Sequence, residues 1–517
     1  MGEVDLTVAR TLSLALTRGA ERPAVYFGTQ TLSHADLQAL SNQVANQLLA
    51  HGLERGDRVA IVLPNCPEYI AIAIGCAKAA VAMVTLNYRF TASEFIEQIR
   101  NSGASLLIYS DHFRDAVGEV ACELPAVQRI CVGEPGPGDV GELSSLLAEA
   151  SSLPPSIEVN GDNLFYLGYT SGTTGLPKGA MVTQRNRALA YHFWALEYGV
   201  RDNDVVLHTG PFHHTAPFTF VLMQLFMGGA VVILDHFDPE LVAQSIEKHR
   251  VTWGFFVPFM LDRLIASAKE VGASDLSSLR FIISGASPLP TSTKEGLLGL
   301  LPQVGLHEFY GATEAGVIAN LRPADQRRKT RCVGRPVFDT EIEIRDEDNN
   351  PVPTNTVGNI WMCGPTVFSG YYQAPEKNQE VFSGDWCTLG DVGRIDDEGY
   401  LYILDRRKDV IKSGGVNIFP MEIEEVLRAE TGIADASVVG VPDDVWGEAA
   451  HAVIVYTNGV SVPPEELTAA CRLKLAGFKV PKSFEMREEL PRNANGKVLK
   501  RVLRQEFIDR NQMSEIL

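Results

Sequence analysis

The sequence lacks any clustered arrangement of cysteine. Cys66, Cys76, Cys122, Cys131, Cys332, Cys363, Cys387 and Cys471 are scattered, with no Cys-x-x-Cys and no paired histidine spacing. They therefore read as reduced, mostly buried thiols of a cytoplasmic protein. Positive charge is also scarce: 45 Lys and Arg face 64 Asp and Glu, for a net charge of −19. That balance excludes a general nucleic-acid surface, which needs a basic face, so an anionic ligand would have to meet local lysines. A membrane span is not expected either. The most apolar stretch, "YIAIAIGCAKAAVAMVTLN", carries Lys78 and reads as a buried helix running into a strand. The N-terminal "MGEVDLTVARTLSLALTRGAERP" has no basic segment followed by an apolar core and cleavage site, so no secretory signal is expected. Leu6 speaks against myristoylation at Gly2, and the closing "SEIL" is not the peroxisomal Ser-Lys-Leu. There is no repeat and no low-complexity tract.

What is present is the composition of a soluble globular protein, 45% hydrophobic and 21% charged, in a chain of 517 residues that is long for one ordinary domain. Apolar runs such as "RVAIVLP", "SLLIYS", "AVVILD" and "LRFIISG" alternate with helical patterns such as "ADLQALSNQVANQLLAHG". Strands alternating with helices predict parallel, largely buried sheets. From about residue 337 the strands become shorter, joined by Asx, Gly and Pro turns. After "DRRKDVIKSGG" come a short amphipathic helix, "PMEIEEVLRAE", two strands, "ASVVGVPD" and "EAAHAVIVY", and a further helix, "PPEELTAACRLKL". This tail suits a small α+β domain, and the boundary is expected near residue 408, giving domains 1–407 and 408–517.

One stretch asks for a chemical explanation. "YTSGTTGLPKGA", residues 169 to 180, packs four hydroxyls, three glycines and a lysine into twelve residues. Such a stretch predicts a loop whose glycines let backbone approach a ligand, whose hydroxyls donate, and whose lysine supplies charge. Those are the parts of a polyphosphate cradle. It is not the P-loop pattern, because Lys178 lies between Pro177 and Gly179, and it holds no Gly-x-Gly-x-x-Gly.

This stretch is the first of six motifs standing in one order. The others are "PFHHTAPF", "ISGASPL", "EFYGATEAG", "LGDVGRIDDEGYLYILDRRKDVIKSGGVNIFPMEIE" and "LPRNANGKVLKR". Together they resemble the adenylate-forming superfamily of acyl-CoA synthetases, firefly-type luciferases and nonribosomal-peptide adenylation domains, over nearly the whole chain, and most of all the acyl- or aryl-CoA ligases. The resemblance implies a large N-terminal domain of two α/β subdomains and a β-barrel-like one, followed by a small mobile α+β domain. It implies ATP, Mg²⁺ and coenzyme A as cofactors and a small carboxylic acid as substrate.

The chemistry such a family performs is a matter of positioning and charge. A carboxylate acylates poorly because oxide would have to leave, and transfer of AMP onto it supplies a better leaving group. Two anions must meet at the α-phosphate, so pre-placed positive charge and donors carry the catalysis. By the resemblance, Thr170, Ser171, Gly172, Thr173, Thr174, Gly175 and Lys178 hold the β- and γ-phosphates. Tyr310 stacks on adenine, Thr313 touches the α-phosphate and Glu314 holds Mg²⁺, which needs only one or two carboxylates beside phosphate and water. Read alone, a Glu after a Thr more often starts a helix. Asp391 and Arg406 match the ribose contacts, although alone they read as a surface-turn ion pair. Gly285 and Ala286 let the backbone approach the adenine and the acyl chain. Lys497 matches the lysine that reaches the α-phosphate and carboxylate, and is the principal catalytic candidate. Lys408 matches the hinge about which the small domain turns, exchanging Lys497 for Lys412, Gly414 and Gly415 when the thioester forms.

Coenzyme A is the expected acceptor because Trp446, Phe478, Lys479 and Lys482 resemble the CoA site of aryl-CoA ligases. Val480 stands where one such pattern has Arg, which removes a phosphate contact, and Trp446 reads equally well as a packing anchor. His214 aligns with the histidine at the junction of acyl pocket and pantetheine channel, while His213 packs or faces solvent. Neither is assigned as a base, since a carboxylic acid is already ionised at neutral pH. The Asp that holds a substrate amine in amino-acid adenylation domains is absent here, which argues against an α-amino acid. "WGFFVPFM", residues 253 to 260, reads either as acyl-pocket wall or as core. The competing acceptors are an amine, as in an amide synthetase, or a carrier-protein thiol. A non-catalytic nucleotide sensor would not need both Glu314 and Lys497. The oligomeric state is open between monomer and homodimer.

Overall fold

The computed structural model describes residues 5–170, 178–271, 275–457, 459–492 and 498–516. The chain packs into two compact units, Met1–Glu341 with Met362–Cys387, and Ile342–Trp361 with Thr388–Leu517. No described helix is long and apolar enough to cross a membrane.

Two parallel-cored sheets organise the larger unit, as the alternation of strand and helix patterns predicts. In the nine-stranded sheet, six strands run parallel in the order Gly305–Ala312, Phe281–Ser284, Trp253–Phe255, Val205–His208, Ala230–Ile233 and Pro23–Phe27, and antiparallel strands flank both edges. Parallel strands are covered on both faces, so their side chains are apolar throughout rather than alternating. Phe281–Ser284 and Ala230–Ile233 are buried at every position. Helices Pro239–His249, Pro258–Val271 and Thr291–Leu300 cover one face through a core that includes Val242, Leu261 and Leu297.

The seven-stranded sheet runs Gly141–Glu142, Gln128–Val132, Leu106–Ser110, Arg58–Val62, Ala82–Thr85, Leu164–Thr170 and Lys178–Thr183, parallel except for the last pair. The apolar stretch around Lys78 forms the helix Pro67–Lys78, buried at all positions but Glu68, and then the strand Ala82–Thr85. Lys78 is tolerated inside because its ammonium donates to Ser41 and Asn42 at 2.7 Å and to Gln38 Oε1 at 3.0 Å. Burial without a carboxylate pulls its pKa down to about 7.

In the smaller unit, residues 391–395 pair antiparallel with Leu401–Arg406. Beyond them the long hairpin Ile433–Asp443 and Gly447–Tyr456 carries Ile411–Ser413 and Ser483–Arg487 beside its second strand. Helices Pro420–Arg428 and Pro464–Lys474 pack on this sheet through Ile423, Val426, Leu427, Leu467 and Cys471, all buried. Leu503 of the helix Lys500–Ile516 packs with Val439, Val441 and Val453. The fold is thus mixed α/β, with a large N-terminal domain and a small α+β C-terminal one.

Candidate active site

In open α/β sheets, ligands gather at the carboxyl ends of the parallel strands. Four neighbouring strands of the nine-stranded sheet deliver the expected residues there. Val205–His208 leads to His213 and His214, Phe281–Ser284 leads to Gly285 and Ala286, and Gly305–Ala312 carries Tyr310 and leads to Thr313 and Glu314. The fourth strand, Trp253–Phe255, brings Phe255 within 6.0 Å of the Phe309 ring.

Glu314 does not begin a helix. It lies in a three-residue turn between Gly305–Ala312 and Gly316–Leu321, an antiparallel hairpin whose first strand bulges between Tyr310 and Gly311. The bulge re-aims the turn, a device common beside active sites. Glu314 is buried at 7% exposure, and the Tyr371 hydroxyl donates to its Oε1 at 2.8 Å. The Phe368 N–H donates to the Glu314 carbonyl at 2.7 Å. Among the described residues no three His, Cys, Asp or Glu side chains cluster as a metal cage. A lone carboxylate supplies the hard oxygen donor Mg²⁺ prefers, and the cation ordinarily completes its shell with phosphate and water, so Glu314 fits that ion as a partial ligand.

Lys178 is in a strand, not in a loop. It pairs with Thr170 at the end of the antiparallel ladder Leu164–Thr170 and Lys178–Thr183, so 169–170 and 178–180 of the expected loop are strand. Gly179 pairs with Tyr169, whose ring lies 3.3 Å from where a Cβ at Gly179 would stand. Burial and the nearby Lys377 hold the Lys178 ammonium below its ordinary pKa. The expected contacts Ser171, Gly172, Thr173, Thr174 and Gly175 lie outside the described residues, as do the side chain of Thr170 and all of Lys497.

The segment from Phe368 to Tyr372 was not singled out from sequence, yet it ties these parts together. Ser369 and Tyr372 donate backbone N–H groups to Met181 and Gly179 on the Lys178 strand at 2.9 and 2.8 Å, while Phe368 and Tyr371 hold Glu314. Gly168 was missed as well. A Cβ there would stand 2.4 Å from Thr313 Cγ2 and 2.8 Å from the Tyr166 ring, so this strand passes too close for any side chain. A glycine inside an apolar strand pattern signals such close approach. Gly285 is similarly tight against Phe309, at 2.3 Å, and Ala286 has φ of 68°.

The two histidines differ. His213 is 9% exposed, packs edge-on against Tyr88 and has neither ring nitrogen partnered. Its partner His214 precedes the helix Thr215–Met227 without capping it. Burial drives the pKa of His214 down to about 4 and that of His213 to about 2, with the Arg89 charge adding to both, so both are neutral at physiological pH. Within "WGFFVPFM", Trp253 and Phe256 are core residues: the Trp253 indole donates to Gln224 Oε1 at 2.7 Å, and Phe256 sits in the cluster beneath the sheet.

In the smaller unit Asp391 and Arg406 are register partners across the 391–395 and Leu401–Arg406 ladder. Arg406 Nε stands 2.8 Å from the buried Asp391 Oδ1, so the ion pair sits within a sheet rather than at a surface turn. Asp405, also missed from sequence, is buried and accepts the backbone N–H of Arg406 and of Met421, both at 2.8 Å, which anchors the start of helix Pro420–Arg428. Burial pushes its carboxyl up to about 6, against the pull of Lys500.

The residues expected to meet coenzyme A partly converge. Gly414, at φ 56°, accepts a conformation most side chains avoid, and a Cβ on it would lie 2.8 Å from the Trp446 ring. Its N–H donates to the Trp446 carbonyl at 2.8 Å, and Lys482 Nζ lies 5.9 Å from the ring centroid. Gly415 completes the turn with Gly414, Lys412 lies in the strand Ile411–Ser413 that enters it, and the Lys412 N–H donates to Glu448 Oε2 at 2.9 Å. Trp446 and Phe478 are 49% and 48% exposed, so neither serves as a core anchor. Lys479 pairs with Glu422 at 2.5 Å. Val480 points into the core and offers nothing to a phosphate.

Known proteins resemble this chain along nearly its whole length. A family model described as AMP-binding enzyme matches residues 13–372, and one described as AMP-binding enzyme C-terminal domain matches residues 422–497. A feruloyl-CoA synthase of Amycolatopsis sp is 37% identical over 487 residues, 94% of this chain and 96% of that protein. ATP-bound MatB from Rhodopseudomonas palustris superposes with a TM-score of 0.88 at 30% identity, covering 98% of this chain and 99% of the other. The amide bond synthetase McbA from Marinactinospora thermotolerans superposes at 0.87 with 27% identity, covering 97% of this chain and all of that one, 100%. The chain belongs to the AMP-binding enzyme family of adenylate-forming acyl- and aryl-CoA ligases.

Proposed function

We propose that this protein is an ATP-dependent carboxylic acid:CoA ligase of the AMP-forming acid-thiol type. A substrate carboxylate oxygen attacks the α-phosphorus of ATP, the bond to the β-phosphate oxygen breaks, and pyrophosphate leaves. The sulfur of coenzyme A then attacks the acyl carbon of the adenylate, AMP departs and the thiol proton passes to solvent. The observation that carries this reading is Thr313 and buried Glu314 together at the carboxyl end of the parallel sheet, in a chain whose family model spans 13–372.

Roles follow the motif positions. Thr170, Ser171, Gly172, Thr173, Thr174, Gly175 and Lys178 orient the departing phosphates, and Tyr310, Gly285 and Ala286 take the adenine. Asp391 and Arg406 take the ribose hydroxyls. Thr313 donates to the α-phosphate, and Lys497 neutralises charge that develops as the two anions meet, an effect worth several kcal/mol at a preorganised site. Glu314, steadied by Tyr371, holds Mg²⁺, which when bound neutralises phosphate charge. Neutral His214 orients the acid and the incoming thiol without moving a proton. Lys408 is the hinge between domains 1–407 and 408–517. Lys412, Gly414 and Gly415 serve the second half-reaction, in which Trp446, Phe478 and Lys482 receive coenzyme A. A cytoplasmic location suits a protein drawing on ATP and coenzyme A.

A second reading, an amide synthetase, is favoured by the likeness to McbA. Pyrophosphate release across fatty, aryl and amino acids, each with and without coenzyme A and with product mass read in parallel, separates the two. Acyl-CoA is the expected product with a fatty or aryl acid. Adenylate that accumulates beside coenzyme A and is consumed only by an amine would overturn the thioester.

A further inference from the structure

Behind Thr313 lies a cation that neither half-reaction has used. Arg187, on the helix Gln184–Tyr198, is 3% exposed and makes no ion pair among the described residues. Its guanidinium donates from Nη2 to the Tyr166 hydroxyl at 2.6 Å and from Nη1 to Thr219 Oγ1 at 3.3 Å. Its Cζ lies 5.1 Å from the ring centroid of Tyr166 and 5.4 Å from that of Trp194. A buried charge without a counter-ion is costly, and structures that retain one usually direct it at something.

The direction can be followed residue by residue. Tyr166, Thr215 and Thr313 converge on Gly168, whose missing Cβ would lie 2.8 Å from the Tyr166 ring, 3.5 Å from Thr215 Oγ1 and 2.4 Å from Thr313 Cγ2. The Thr215 and Thr313 hydroxyls are 3.1 Å apart. Tyr166, Thr215 and Thr219 also line a void of about 10 Å³, room for about one water. Burial raises the Tyr166 phenol pKa, partly offset by the Arg187 charge and the neighbouring Thr215 hydroxyl. Guanidinium can only donate, whereas each hydroxyl both accepts and donates one proton. Arginine at one end therefore sets the polarity of the whole line, and such chains strengthen cooperatively in a low-dielectric interior.

We infer that Arg187 and Tyr166 are positioning residues that act through Thr215 to hold the Thr313 hydroxyl as an outward donor to the nucleotide α-phosphate. The inference rests on the adenylating reading for the identity of that anion. Without Arg187 the hydroxyls can reverse, and Thr313 can then present a lone pair to the phosphate.

A mutant cycle on the full chain tests this, read as AMP affinity by calorimetry, because AMP carries the α-phosphate alone. Arg187→Met with Tyr166→Phe removes both polar partners together, which spares the fold the unpaired group a single change would leave. Thermal melting checks that fold, and Arg187→Lys tests rescue, since it retains a donor-only cation. Expected are a roughly tenfold weaker Kd for the double variant, a similar loss for Thr313→Val, less than a further twofold for the combination, and partial rescue by Arg187→Lys. Losses that multiply, or an unchanged Kd in a folded double variant, would overturn the relay. Pyrophosphate release by the unaltered protein is measured separately: its absence with intact AMP binding sinks the adenylating reading while the cycle still decides the relay. Failure of the unaltered protein to bind AMP would overturn both.

Discussion

Buried Asp391 of the smaller unit apart, the two units arrange their candidate chemistry in opposite ways. In the larger one several polar groups lie beneath the surface: Glu314 is 7% exposed, Arg187 3%, and neutral His213 packs edge-on against Tyr88. In the smaller one the rings of Trp446 and Phe478 face solvent, and the turn at Gly414 and Gly415 is held by backbone hydrogen bonds. Stabilising charge as a bond breaks requires donors fixed before the event, and burial fixes them. Receiving a long, flexible acceptor requires accessible surface, and exposed aromatics supply it at low conformational cost.

Lys497→Ala is expected to break that division most sharply, because it alters the smaller unit yet should lower pyrophosphate release by about 10²–10³-fold. Thioester formation from supplied acyl-adenylate should be nearly unaffected. Equal loss in both half-reactions, measured in single turnovers, would remove Lys497 from its adenylating role.

Gly168→Ala is expected to cost somewhat less. Its Cβ would press on Thr313 and Tyr166, and overpacking of this sort costs about 1–3 kcal/mol in stability. Pyrophosphate release should fall roughly tenfold or more, by about the free energy of a displaced donor. An active variant with unchanged melting would show that the strand at Gly168 has room to shift.

Acid should separate the units by sign. In the larger unit burial lowers His34, His208, His214 and His307 to about 4. Their unfolded value is about 6.5, so the stability they contribute is complete above that pH and is lost as pH falls toward 4, on the order of 1–2 kcal/mol each by pH 5. In the smaller unit Asp405 is raised to about 6 from 3.8, so its ionisation costs stability as pH rises through that window, and acid relieves the cost. His451 there is shifted down like the others, with Glu485 opposing at 3.3 Å. Hydrogen exchange at pH 5 against pH 7 should show greater loss of protection in peptides of the larger unit. Uniform loss would mean these buried groups do not govern acid stability.

Much of this was legible in sequence because it is local. The runs "RVAIV" and "FIIS" announce strands covered on both faces, and "YIAIAIGCAKAAVAMVTLN" announces a buried helix and strand in that order. What was not legible is set by pairing across distance. Glu314 following Thr313 suggests a helix start, but the antiparallel return of Gly316–Leu321 makes it a hairpin turn. Lys178 sits among loop-forming residues, yet the ladder with Leu164–Thr170 draws it into a strand. Arg187 and Tyr166 are 21 positions apart, and Thr215 and Thr313 are 98 apart, so no spacing rule joins them. The aromatic stretch at 253–260 divides by face: Trp253 and Phe255, two apart on one strand, share the face that meets Phe220, while Phe256 joins the core with Val242 and Leu261, and no composition reveals which.

Trp446→Ala is the gentlest test and the most specific. Removing a ring that a flexible acceptor stacks on typically costs about 1 kcal/mol, so KM for coenzyme A should rise about five- to tenfold. The indole is half exposed and Gly414 retains its backbone bond to residue 446, so melting should hardly move. Pyrophosphate release measured without coenzyme A should be unchanged, because the ring takes no part in the first half-reaction. A variant that loses stability but keeps its KM would make Trp446 a support for the Gly414 turn; one that raises KM alone assigns the exposed face of the smaller unit to the acceptor.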